Sequence, residues 1–193
     1  ELAVQEAGGN RAPRVLDPAC GDGALLAAVH RRFPEAVLHG FDIDPVAAAR
    51  ARQRVPDATI YVGDALCMAG GEYDVVIMNP PYVGEKGHKA IFDKVRAMGP
   101  RWSNRCAPRM DLLYFFVHLG LDVLRPGGVL VALTTAYWPS ATSASLLRAD
   151  LLERGSVRRW VRFVGQGVFS SARGQHNLAA VSVRGERARG WSW

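Results

Sequence analysis

Apolar positions along this chain follow two rhythms. Short, nearly continuous apolar runs read as buried strands, and stretches with apolar residues three and four apart read as helices. The runs Arg14–Asp17, Val37–Ile43, Thr59–Val62, Tyr73–Met78, Val129–Thr134, Val157–Val164 and Asn177–Val183 predict seven strands. Ala24–Arg32, apolar at Leu25, Leu26 and Val29, predicts a helix that stops before Pro34. Pro45–Arg54 predicts another, with proline in its first turn. Asp111–Leu124 and Ser143–Glu153 predict two more, and the Leu112, Phe115, Phe116, Leu119 stripe of the first is read as core. Glu1–Asn10 reads as the end of a helix running into a Gly-Gly-Asn stop. Residues 83–109 are polar, with Gly, Lys, Arg and Trp102, and are expected to be a long mobile segment beside the substrate. Strands alternating with helices predict an α/β fold, a mostly parallel seven-stranded sheet covered on both faces.

Composition narrows the class. With 193 residues, 49% apolar and 22% charged, residues 1–193 are expected to form a single domain. No apolar run reaches the roughly 18 residues of a spanning helix, and the first residues lack the apolar stretch of a leader. Cys20, Cys67 and Cys106 have no paired metal spacing, which excludes a disulfide scaffold and a structural zinc site. A reduced, cytoplasmic chain with no metal and no membrane partner is the expectation. Charge is uneven: residues 1–82 carry a balance of −4 and residues 83–193 a balance of +10. Of the 24 basic side chains 21 are arginine, suited to planar contacts with phosphate.

Candidate chemistry begins at Asp17-Pro18-Ala19-Cys20-Gly21-Asp22-Gly23, between a predicted strand and helix. Glycine lets a ligand approach the backbone there. A dinucleotide fingerprint would place a third glycine at position 26, which is Leu26, and Asp17 and Asp22 would repel a pyrophosphate. S-adenosylmethionine fits better, since it carries an ammonium for Asp17 and no phosphate. Asp42, in Phe41-Asp42-Ile43-Asp44-Pro45, is placed to accept ribose hydroxyls, and Asp64, in Val62-Gly63-Asp64-Ala65, to accept from the adenine amine. The expected cofactor residues are therefore Asp17, Ala19, Gly21, Gly23, Asp42, Ile43, Asp64, Ala65 and Asn79. Cys20 is read as packing.

The fourth strand ends in Asn79-Pro80-Pro81-Tyr82. A rigid turn explains the prolines but not the flanking residues. An adenine amine is a poor nucleophile because its lone pair is delocalised into the ring. The Asn79 side-chain carbonyl and the Pro80 backbone carbonyl can each accept one of its N–H bonds, localising that lone pair. The two prolines hold the turn and remove competing donors. Tyr82 offers a face for the base, worth roughly 1–3 kcal/mol.

In this order, the glycine turn, Phe-Asp-Ile-Asp-Pro, Gly-Asp-Ala and Asn-Pro-Pro-Tyr resemble a class I S-adenosylmethionine-dependent methyltransferase with its Rossmann-like sheet. Arg109–Phe116, Leu124–Gly128, Ser143–Arg148, Val168-Phe169 and Gly174–Asn177 resemble more narrowly the gamma-type adenine-N6 DNA methyltransferases of restriction–modification systems, the TaqI-like group. The resemblance spans roughly residues 14–184. It implies catalytic roles for Asn79, Pro80, Pro81 and Tyr82, a duplex-DNA partner, and an adenine flipped out of the stack. Tyr82 and Phe169 would hold that base, with no metal involved. The family also carries a further cofactor motif upstream of the glycine turn and a target-recognition domain downstream. Here about 13 residues precede the first strand and the chain ends at Trp193, so a missing recognition domain or a specificity subunit is expected.

Asp111 is read as a helix cap, His88 and Lys89 as solvated or facing the substrate backbone, Trp102 as a loop residue able to stack on a base or wedge into a duplex, and His176-Asn177 as support for the base pocket. Two other acceptors suit the same tetrapeptide: a protein glutamine amide, as in release-factor methyltransferases, and an RNA adenine. A non-catalytic nucleic-acid-binding module is the reading from another class; the intact Asn79–Tyr82 sequence speaks against it.

Overall fold

A computed structural model describes residues 12–163 and the backbone of 176–182. The expected N-terminal helix end and Phe169 lie outside the described residues. The strands are β1 (Arg14–Asp17), β2 (Val37–Asp42), β3 (Thr59–Val62), β4 (Tyr73–Met78), β5 (Leu124–Thr135), β6 (Ser156–Arg162) and β7 (His176–Ser182). The helices are α1 (Ala24–Arg32), α2 (Pro45–Arg54), α3 (Lys89–Ala97), α4 (Pro100–Ser103), α5 (Leu113–Val123) and α6 (Ser145–Arg154). The sheet runs in the order β3-β2-β1-β4-β5-β7-β6. Five strands, β3-β2-β1-β4-β5, are mutually parallel and form its main body. β7 and β6 are added antiparallel beyond β5.

The two faces follow from the period of two along a strand. Val15, Leu38, Ile60, Val75, Ile77 and Val129 pack beneath Leu26 and Ala27 of α1 and Ala48 and Ala51 of α2. Leu16, Val76, Met78, Leu130 and Ala132, at the alternate positions of the same strands, form the opposite core with α3, α4, α5 and α6. β4 lies centrally and is buried along all six residues, as a strand covered on both faces must be.

Several predicted boundaries shift for identifiable reasons. β2 ends at Asp42, not Ile43, because Asp44 caps α2 by accepting the Val46 N–H at 2.9 Å. α5 starts at Leu113 with Leu112 at its N-cap; Asp111, one residue before the cap position expected of it, accepts the Leu113 N–H at 3.0 Å. β5 follows α5 directly: Leu124 pairs with Tyr73, the register slips, and pairing resumes at Val75–Val129. Arg125 within that slip pairs with the buried Asp74, which also accepts the Arg14 N–H at 2.7 Å.

The largest correction concerns residues 83–109, expected to be a mobile loop. They contain α3 and α4, which contribute Phe92, Val95 and Trp102 to the core. Trp102 is 2% exposed, and its indole N–H donates to the Leu66 carbonyl at 3.1 Å, so it is no base wedge. Among the described residues, no helix is long and apolar enough to cross a membrane.

Candidate active site

The parallel strands end along one edge of the sheet, and the turns that follow them build a cleft of about 490 Å³. Ligand sites in open α/β sheets lie at this carboxyl edge. The turn after β1 is shaped by glycine. Gly21 has φ +55° and Gly23 φ +81°, a region that L side chains rarely adopt, and a Cβ on Gly23 would sit 3.1 Å from Ala51. A Cβ on Gly21 would meet no atom within 4 Å, so the turn has open space above it.

Seven of the sequence-predicted site residues line this cleft: Ala19, Asp42, Ile43, Asp64, Ala65, Asn79 and Pro81. Asp42 accepts the Gly21 N–H at 2.7 Å on one oxygen and the Asp44 N–H at 2.9 Å on the other. A carboxylate has about four acceptor positions, so both oxygens can still take a hydroxyl. One oxygen of Asp64 accepts the Leu66 N–H at 2.9 Å and caps a short 3-10 turn, Ala65–Cys67. Ile43 is 73% exposed, an apolar surface laid open at the cleft.

Asp17, Gly21, Gly23, Pro80 and Tyr82 do not line the cleft. Asp17 is 1% exposed; one oxygen accepts the Ala19 N–H at 3.1 Å, and the other has no hydrogen-bond partner among the described residues. Burial, reinforced by nearby Asp42, pushes its carboxyl up to about 7 against the Ala19 hydrogen bond. The expected salt link from Asp17 to an ammonium is thus not preformed at the surface. What stands there is a buried acceptor without a donor, at a residue whose next two neighbours, Pro18 and Ala19, line the cleft. Cys20 is buried, and burial with the surrounding carboxylates raises its thiol to about 12, which keeps it protonated and inert.

Asn79 and Tyr82 are brought together. The Tyr82 hydroxyl is bonded to the Asn79 side-chain oxygen at 2.9 Å and to the Leu133 carbonyl at 3.1 Å. An amide oxygen has two lone pairs, so this contact orients Asn79 and leaves one acceptor position. Burial, with the Asp111 carboxylate nearby, raises the Tyr82 hydroxyl to about 12, so it remains a donor.

The far wall of the cleft was not legible as a site. Ile91, Lys94, Val95 and Met98 of α3 and Leu112 and Phe116 near α5 complete it. Its signal was present: Ile91, Phe92, Val95 and Met98 recur at helical spacing within an otherwise polar segment. Among the described residues, no group of His, Cys, Asp or Glu is placed to hold a metal ion.

Comparison with known proteins follows this geometry. The family described as Eco57I restriction-modification methylase matches residues 50–169, and a methyltransferase domain family matches residues 16–80. The type II methyltransferase M.TthHB8I of Thermus thermophilus is 33% identical over 163 residues, 79% of this chain and 36% of that protein. A release factor glutamine methyltransferase of Bacteroides thetaiotaomicron is 31% identical over 129 residues, 62% of this chain and 46% of that protein. The chain therefore spans between a third and a half of these relatives. The type IIG restriction endonuclease BpuSI superposes with a TM-score of 0.74 at 19% identity, over 97% of this chain and 24% of that one, which shows the shared fold.

Proposed function

Because the chain belongs to the Eco57I restriction-modification methylase family, a family of S-adenosylmethionine-dependent enzymes, we propose that it methylates the N6 amine of an adenine in DNA. Asp17 and the Gly21–Gly23 turn would face the methionine end of the cofactor, Asp42 the ribose, and Asp64 with Ile43 and Ala65 the adenine. The orphaned Asp17 oxygen, the open space above Gly21 and the exposed Ile43 fit those three parts in turn. Bound there, the cofactor supplies a methyl group activated by its sulfonium.

The chain's own task is to present the amine. Asn79 stands in the wall of the cofactor cleft with its carbonyl oxygen held by Tyr82, and this observation carries the reading. The Asn79 and Pro80 carbonyls accept the two amine hydrogens and so direct the nitrogen lone pair away from the ring. Tyr82, 36% exposed, gives the base a face to stack on. An adenine within a duplex cannot reach this turn, so the substrate base is flipped out, at a cost of a few kcal/mol. Positioning of this kind lowers the barrier without a metal. The recognition of a particular DNA sequence is assigned to segments beyond this domain or to a separate subunit.

Similarity to a release factor glutamine methyltransferase favours one second reading, since a glutamine amide is also planar and suits the same tetrapeptide. Labelled methyl transfer to duplex DNA, structured RNA and a release-factor protein separates the acceptors. The expected result is N6-methyladenine in DNA, reduced about 10²–10³-fold by Asn79→Ala, as when an electrostatic donor or acceptor is removed from a reacting centre. Label in protein alone would replace the DNA reading with glutamine methylation.

A further inference from the structure

A second cleft of about 440 Å³ opens beside the Tyr82 turn. The cofactor cleft reaches the turn at Pro81 and this one begins at Gly84, so Tyr82 stands between them along the chain. Three exposed cations line it, Lys86, Lys89 and Arg109. None of the three side chains has a carboxylate or carbonyl partner among the described residues.

Both carboxylates at the cleft are already engaged. Glu85 pairs with the Arg96 guanidinium and accepts the Arg109 backbone N–H at 2.7 Å. Asp111 is 6% exposed and accepts the Leu113 N–H at 3.0 Å and the Tyr137 hydroxyl at 3.2 Å. With Glu85 balanced by Arg96, the Asp111 carboxyl opposes at most one of the three cations, and the cleft keeps a positive excess. Elsewhere much of the basic excess is spent inside the protein: Arg101, Arg105 and Arg154 are tied to Asp122, and Arg125 to Asp74.

The backbone adds an independent observation. Arg109 has φ +61° and is the one non-glycine residue with positive φ among those described. An L residue is disfavoured there, and the conformation is held by the Glu85 carboxylate and by the Glu85 N–H bonded to the Met110 carbonyl at 2.8 Å. Such strain persists where the surroundings enforce it, commonly at functional sites. Here it sets a guanidinium on the same concave surface as two ammonium groups.

We propose that this cleft binds a phosphodiester of the strand that carries the acceptor base. Arginine matches phosphate oxygens in pairs and lysine meets them as a point charge. A phosphate held here, beside Tyr82, anchors the strand while its base enters the turn. The inference rests on the nucleic-acid reading above, and it concerns backbone positioning, which carries no sequence information of its own.

The test compares the wild-type chain with Lys86→Gln, Lys89→Gln and Arg109→Gly, singly and combined. Binding of fluorescent DNA and RNA strands of equal length is followed across salt concentration, with cofactor affinity by calorimetry and thermal unfolding as controls. Each substitution is expected to weaken strand binding about equally for all sequences and to lower the salt slope by about one. Arg109→Gly is decisive because glycine accepts that backbone conformation, so its unfolding midpoint should hold while strand binding falls. Wild-type affinity and slope in the triple variant would overturn the proposal, as would a wild-type chain that binds neither strand. Methyl transfer to DNA with unchanged KM in the variants would sink the cleft and leave the methylation reading standing. Charge-dependent strand binding without methyl transfer to DNA would do the reverse, and the DNA and RNA arms identify which strand is held.

Discussion

Asp17 carries the most consequential single side chain of the cofactor turn. Its carboxyl is raised from its ordinary 3.8 to about 7, chiefly by burial. The fold is thus favoured with the group protonated, and that contribution is lost as pH rises through about 7. Asp17→Asn should stabilise the ligand-free protein above pH 7 by about 1–3 kcal/mol, the cost of a buried unsatisfied group. The gain should disappear below about pH 4, where both states are protonated; thermal unfolding across pH measures it. The same change should weaken cofactor binding about 10- to 100-fold through loss of a charged hydrogen-bond partner, read by calorimetry. Tyr82 separates two roles. Tyr82→Phe keeps the ring and removes the hydroxyl bonds to Asn79 and Leu133. It should lower kcat about fivefold, the worth of one hydrogen bond, with little change in KM, whereas Tyr82→Ala should raise KM as stacking is lost.

Elements decide what those residues can reach. The turns after β1, β2, β3 and β4 meet at one edge because these four strands are parallel, which brings Ala19, Asp42, Asp64 and Asn79 into one cleft. The opposite wall is α3, within the segment expected to be mobile. Trp102 of α4 anchors that segment: it is fully packed, hydrogen-bonded to Leu66, and lies 4.5 Å beneath the Arg101 guanidinium. Trp102→Ala should cost about 3–5 kcal/mol in chemical denaturation, as for other buried tryptophans. A mobile loop would show almost no change. Loss of α3 packing should also weaken cofactor binding, since Ile91, Val95 and Met98 line the cleft.

At the scale of the whole molecule, charge is used in two ways. One part of the basic half is structural: Asp122 and Asp150 link α4, α5 and α6 through Arg101, Arg105 and Arg154, and the buried His118 is bonded to Asp150 at 2.6 Å. Burial opposes ionisation of Asp122, yet the Arg105, Arg154 and Arg101 guanidiniums outweigh it and hold the carboxyl well below the usual range. A lowered folded-state value gives stability that is fully present above about pH 4 and lost as pH falls further. Asp122→Asn should therefore cost about 1.5–3 kcal/mol near neutrality, the worth of hydrogen bonds to a charged group in a part-buried network. Acid titration of unfolding should show the two proteins converging below pH 4. Lys86, Lys89 and Arg109 are instead exposed on the second cleft, where the phosphodiester proposal uses them.

Sequence by itself determined the local order of this protein. Strand–turn–helix chemistry is written in short windows: Pro45 after the capping Asp44, the glycines at positions 21 and 23, the unbroken apolar run of β4 and the Asn79–Tyr82 turn each act within a few residues. That is why the parallel body of the sheet and the seven predicted residues that line the cleft were legible. Tertiary structure decided what depends on distant partners. Residues 83–109 fold because Phe92, Val95 and Trp102 meet a core built by distant strands and helices; the helical spacing is in the sequence, but the partners that make it fold are not local. Asp17 is buried with one oxygen unpartnered among the described residues, Tyr82 is bonded to Asn79, and Arg109 is held in a left-handed conformation by Glu85, 24 residues away. Burial and long-range hydrogen bonds set each of these, and neither exists until the chain has closed on itself.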